Sequence, residues 1–305
     1  MKISSGRLSL VVLALLLCGA ASFRPAYADV ASDVATFMEE ESKSKSSEAL
    51  DETRKKAPRE VLLELGKYLK SDERKTRLTA LWMISGTGKM QKDRVARRIA
   101  TQLIFKSAVG DVDSSLAGTA TDLLLGFTAA DFSDDMRQTL YNYMAQNRAE
   151  GKSISSVATL AGVMEVPSAI GMLRELAASP QESSWGAVKA LARMGDAASI
   201  QQVVARTESL EDVPGTLESL RDLVFIRQPQ AVEALVRVLF SEGTYGNGGD
   251  VPTTRYAQRA VDFLAQLVEG FPIEPLGTSS SKEQLEIARQ WIIAQGGTGK
   301  LKIKR

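Results

Sequence analysis

Three segments of this chain carry one pattern: TLAGVMEVPSAIGMLRELAAS, ALARMGDAASIQQVVARTES and DLVFIRQPQAVEALVRVLFS, with Leu160, Leu191 and Leu223 in equivalent places. The steps are 31 and 32 residues. Each unit reads as an apolar helix, a short polar break and a second apolar helix, a period that belongs to stacked helix pairs rather than to one closed core. The expected fold is therefore all-α, an α-α superhelix built as a right-handed solenoid of antiparallel helix pairs. Such arrays serve mostly as binding surfaces, and the pattern does not name what is bound.

Composition fits an ordered helical chain: 44% hydrophobic, 25% charged and only 6% aromatic over 305 residues. Formal charge is +1, and without residues 1–28 the chain holds 35 bases against 37 acids. That balance argues against nucleic acid as the main partner. The chain has no histidine and a single cysteine, Cys18. Ser-His-Asp and Cys-His nucleophile systems and thiolate or imidazole zinc sites are thereby excluded, and no cofactor or metal site is expected. Neighbouring acids such as Asp134 and Asp135, or residues 39–41, point different ways on a helix and make weak acid/base pairs. We expect no enzyme.

Lys2 and Arg7 precede an apolar run over residues 8–17, too short to span a bilayer, and Ala26-Tyr27-Ala28 offers a cleavage site. This reads as an export signal over residues 1–28, placing the mature protein in the periplasm or outside the cell. The alternative is a lipoprotein anchored at Cys18, although Leu17 is large for a lipidation box.

Residues 29–57 begin with Val30, Val34 and Phe37 at helical spacing, then become a mixed charge run without an apolar stripe, expected as a solvated helix or linker. The repeat domain is expected over 58–297. Its proposed helices cover 58–69 and 72–85, ended by Gly86-Thr87-Gly88; 93–109 and 114–127; 133–147 and 153–164; 167–179 and 183–194; 197–207 and 213–226; 229–241 and 253–270; and a cap at 281–295. For the 72–85 helix the apolar residues are Leu78, Leu81, Trp82 and Ile84, and for the 93–109 helix Val95, Ile99 and Leu103. Lys300, Lys302, Lys304 and Arg305 form a basic tail, 298–305, read as solvated or as a weak contact with an anionic envelope or membrane surface.

Residues 182–204, ESSWGAVKALARMGDAASIQQVV, resemble the HEAT repeat, whose alanine-rich second helix ends in an apolar residue, Gly and Asp. Met194-Gly195-Asp196 carries that ending, and Gly186, Ala187, Ala190 and Ala192 would let neighbouring helices approach closely. The end of the chain, EIARQWIIAQGGTGKLKIKR, is similar to the tryptophan-bearing final helix and Lys-rich tail of many exported bacterial HEAT-like proteins. The resemblance implies a scaffold or adaptor that binds a protein partner, and no catalytic residues come with it.

Candidate partner-binding residues are Arg74, Arg77, Trp185, Tyr245, Arg255 and Tyr256, because arginine and aromatic side chains anchor interfaces. Trp185 also fits a core position, three residues before Val188 and six before Leu191. The break at 242–254, EGTYGNGGDVPTT, reads as an insertion on the loop edge of the stack or as part of a recognition surface. Gly86-Thr87-Gly88-Lys89 and Gly297-Thr298-Gly299-Lys300 imitate phosphate loops but lack the first glycine and the following Ser or Thr.

Overall fold

Proline at a helix's first turn costs no hydrogen bond, and a short acidic side chain just before a helix satisfies its free N–H groups; this chain uses both devices repeatedly. The computed structural model describes residues 25–41, 48–179, 184–209, 213–242, 244–245, 254–275, 277 and 280–304. Apart from one two-residue ladder, its regular elements are all helical, and they fall into two units divided after Phe127. The expected export signal with Lys2, Arg7 and Cys18 lies outside the described residues; Ala28 falls within the first helix.

The first unit contains α1 (Pro25–Glu41), α2 (Glu48–Lys56), α3 (Pro58–Tyr68), α4 (Arg74–Met90), α5 (Arg94–Gly110) and α6 (Ser114–Leu124). Each packs on the next, and α1 on α3, α3 on α5 and α4 on α6 as well. Asp93 caps α5 by accepting from the Val95 N–H, and Asp113 caps α6 by accepting from those of Ser115 and Leu116.

Four expectations change here. The charge run within 29–57 is not wholly solvated, since α2 buries Leu50 and Arg54; Val30, Val34 and Phe37, at helical spacing before it, are buried too. Arg54 donates to the Thr87 hydroxyl at 2.9 Å and to Asp51 at 2.8 Å, so its charge is paired where it is buried. Nor does Gly86-Thr87-Gly88 end a helix, because α4 runs through it to Met90. A Cβ on Gly88 would lie 2.4 Å from that of Ala100 and 3.2 Å from the Phe127 ring. The close packing this allows, with the Arg54–Thr87 bond, outweighs the roughly 1 kcal/mol that each interior glycine costs a helix. In α5 the buried face is Ala96, Ala100, Ile104, Phe105 and Ala108, one position round from the expected stripe, and Val95 is 48% exposed. Trp82, expected on the apolar face of α4, is 57% exposed.

The second unit, Thr128–Arg305, opens with a 3₁₀ turn at Ala129–Asp131 and continues with α7 (Asp134–Ala149), α8 (Ser155–Met164), a 3₁₀ turn at Pro167–Ala169 and α9 (Ile170–Ala177). There follow α10 (Ser184–Arg193), α11 (Ala197–Ser209), α12 (Val213–Ile226), α13 (Pro229–Leu239), α14 (Tyr256–Leu267), α15 (Lys282–Ala294) and a 3₁₀ turn at Thr298–Lys300. The antiparallel strands β1 (Thr244–Tyr245) and β2 (Thr254–Arg255) precede α14. Helices α8, α10, α12 and α14 pack in series, each on the next of the four, while α11 packs on α13. Leu160, Leu191 and Leu223 occupy α8, α10 and α12 and are all buried.

The α8–α10 contact is made by small residues. A Cβ on Gly162 would stand 2.5 Å from the Ala190 Cα, and one on Gly186 would stand 2.8 Å from the Ser155 carbonyl oxygen. Met194-Gly195-Asp196 also acquires a physical role. Gly195 takes the left-handed conformation (φ 93°), the Asp196 N–H returns to the Leu191 carbonyl, and the Asp196 carboxylate receives the Ser199 N–H and hydroxyl at the start of α11.

The tail is docked through its backbone, while the Lys300 and Lys302 side chains stay exposed. Ile303 bridges to Val268, the Glu269 N–H donates to the Lys302 carbonyl at 2.9 Å, and the Lys304 N–H donates to Leu267 at 2.7 Å. The Lys304 ammonium donates to the Ala265 carbonyl at 2.6 Å near the end of α14.

Candidate functional site

The six sequence candidates do not form one cluster. Arg74 and Arg77 belong to the first unit, where they fasten turns. Arg74 pairs with Asp113 at 2.8 Å and reaches the Ser115 hydroxyl. Arg77 pairs with Asp111 at 3.3 Å and donates to the carbonyls of Ser71 and Asp72. In the second unit, Tyr245 and Arg255 stand on the β1–β2 ladder, and their side chains lie outside the described residues, as does most of the 242–254 break. Tyr256 is half-buried against the core.

Trp185 is half-buried on α10 and packs on the same core. Its indole N–H donates to Asp222 on α12 at 2.8 Å, Lys189 pairs with the other Asp222 oxygen at 2.9 Å, and the Arg206 guanidinium lies 4.5 Å from the ring centroid. Both the hydrophobic body and the polar handle of this tryptophan are therefore engaged. Among the described residues no group of three or more Asp, Glu, His or Cys side chains could hold a metal ion. Asp134 is fully exposed and paired with Arg137.

The feature that sequence reasoning missed is a cavity of about 1180 Å³ in the second unit, at the C-terminal ends of α8, α10, α12 and α14. The chain leaves α8, α10, α12 and α14 through left-handed residues: Glu165 (φ 51°), Gly195, Arg227 (φ 52°) and Gly270 (φ 68°). Two of these are not glycine, at a cost of about 1–2 kcal/mol each, and both line the cavity.

Basic side chains meet the free carbonyls here. Arg137 donates to Met164 at 2.7 Å, Ala129 at 2.6 Å and Phe132 at 3.2 Å. Arg193 donates through Nη1 to Phe225 at 2.6 Å and lies over its ring at 5.0 Å. Arg227 donates to the Lys304 carbonyl at 3.3 Å, and Gln228 donates to that of Arg193 at 2.9 Å. Burial first, then the neighbouring Arg227 charge, pull the Arg193 guanidinium down to about 10; the Glu165 carboxylate acts weakly the other way. Burial also lowers Arg227. No motif links these residues in sequence. The signal that could have found them is a basic residue at the end of successive helices, where a negative dipole end favours one.

No protein-family model and no curated protein matches this chain.

Proposed function

We propose that this chain is an exported, HEAT-like helical-repeat scaffold, an α-α superhelix that binds a protein partner without catalysing a reaction. The serial packing of α8, α10, α12 and α14, with Leu160, Leu191 and Leu223 at matched buried positions, supports it most. Elements that contact only near neighbours build an extended surface rather than a closed pocket, and such surfaces suit macromolecular partners. On this reading the α8, α10, α12 and α14 layer is the concave, partner-facing one.

The test places a photo-crosslinking residue at the exposed positions Glu218 and Arg221 on α12, and for comparison at Gln201 on α11 and Glu233 on α13, in the protein expressed in its own cell. One recurrent protein adduct from 218 and 221, absent from 201 and 233, supports the scaffold. Adducts equally distributed over both layers, or none, count against it. Fractionation and the mass of the mature N-terminus test export: a chain beginning at Asp29 outside the cytoplasm is expected, and a diacylated Cys18 would replace it with the lipoprotein.

A further inference from the structure

The cavity at the helix ends carries more positive charge than its surroundings use. Its lining includes Arg137, Arg193, Arg227, Lys302 and Lys304 against the two carboxylates Glu165 and Glu269; with Arg137 paired to Asp134, two positive side chains remain in excess. The helix C-termini add partial negative charge, which Arg137, Arg193 and Gln228 meet by donating to the Met164, Phe225 and Arg193 carbonyls. Among the described residues neither Arg193 nor Arg227 has a carboxylate partner; each spends one Nη on a carbonyl. A guanidinium has five N–H donors in a planar fork that matches the oxygens of a carboxylate or phosphate. The depressed Arg193 agrees with a buried charge beside a like one, offset only weakly by Glu165.

Volume sets the size of the occupant. At about 1180 Å³ the cavity exceeds the usual range of small-molecule pockets, roughly 300–1,000 Å³, and is far larger than a bare ion needs. Two strained non-glycine residues frame it, and the docked tail brings Lys302 and Lys304 to its rim.

We propose that this cavity is a binding site for an organic oxyanion, a molecule that presents carboxylate or phosphate oxygens to Arg193, Arg227 and Lys302. The proposal stands apart from the scaffold reading, since it concerns the helix ends and not the faces of the layers.

Calorimetric titration of the full mature chain with citrate and, separately, pyrophosphate in low salt tests it. Saturable one-to-one binding of at least one probe is expected, weakened about tenfold or more by Arg227→Gln and about threefold by Lys302→Gln. Lys282→Gln, exposed on α15, should bind as the parent does. Preference for citrate assigns the site to carboxylates and preference for pyrophosphate to phosphates. Because Arg227 has a left-handed backbone, circular dichroism checks that its variant folds; if it does not, the exposed Lys302→Gln alone decides. Absence of saturable binding with both probes, or parental affinity in the variants that fold, overturns the proposal.

Discussion

Substituting Gly162 by alanine perturbs the contact that joins α8 to α10. The added Cβ would lie 2.5 Å from the Ala190 Cα, 2.8 Å from its Cβ and 3.1 Å from its carbonyl oxygen. Carbon atoms at rest stand about 3.5–4.0 Å apart, so the two helices must separate by about 1 Å. No flexible side-chain end can yield, because backbone meets backbone. Overpacking of this kind costs about 1–3 kcal/mol, while alanine in a helix interior returns about 1 kcal/mol relative to glycine. The net expectation is a loss of up to about 2 kcal/mol, or up to roughly 4–8 °C in melting temperature for a unit of this size. Gly118, on α6, has no atom within 4 Å of its added Cβ. Gly118→Ala should therefore stabilise by about 0.5–1 kcal/mol. Urea unfolding followed by tryptophan fluorescence reads both, with Trp185 and Trp291 reporting on the second unit and Trp82 on the first. If Gly162→Ala gained stability as Gly118→Ala does, the close α8–α10 packing would be refuted.

Three further outcomes are expected. Arg54→Ala should lower stability by about 1–3 kcal/mol, since it removes the partner of a buried Thr87 hydroxyl and part of the α2 face; an unchanged urea midpoint would restore the solvated lead-in. Deleting residues 298–305 should cost at least about 2 kcal/mol, since two backbone bonds at roughly 1 kcal/mol each are lost together with the Lys304–Ala265 and Arg227–Lys304 bonds and the packing of Leu301 and Ile303, whereas a solvated tail would cost nothing. Asp196 is held below the ordinary aspartate range by the Ser199 N–H first and its hydroxyl next, and Asp113 chiefly by the Leu116 N–H. As pH falls the unfolded chain takes up these protons first, so the stabilisation is complete above about pH 4 and is lost progressively below it. Thermal melts from pH 7 to pH 3 should show that fall, and Asp196→Asn, which cannot titrate, should show a shallower one; equal slopes would contradict the capping role.

Helix placement followed from apolar spacing, and the 31- and 32-residue steps put Leu160, Leu191 and Leu223 where the second unit buries them. Met194-Gly195-Asp196 was readable because a left-handed turn and an N-cap each demand particular residues. What stayed illegible depended on small or charged groups. Ala96 and Ala100 form a face of α5 that Val95 and Ile99 outweigh by hydrophobicity, and α2 is seated by one leucine and the stem of an arginine. Gly86 and Gly88 look like a stop unless the neighbouring helix is known to press on them. The cavity was invisible because Arg137, Arg193, Arg227 and Lys304 meet only after four helix ends are brought together. Sequence reasoning assigned no role to the three arginines and read only Lys304, as part of the basic tail.

The stacked repeat itself is tested most directly by distances between equivalent exposed sites on its outer layer. Gly171 on α9, Gln201 on α11 and Glu233 on α13 each stand six residues after the left-handed residue of their turn, Glu165, Gly195 or Arg227, and are exposed. Changed to cysteine in pairs in the mature chain and spin-labelled, they can be measured by double electron–electron resonance. Packed helices are spaced by about 8–10 Å, so a stacked array predicts that the 171–233 separation is about twice that of 171–201 and of 201–233. A 171–233 distance no longer than the single steps would mean a closed bundle and would contradict the account.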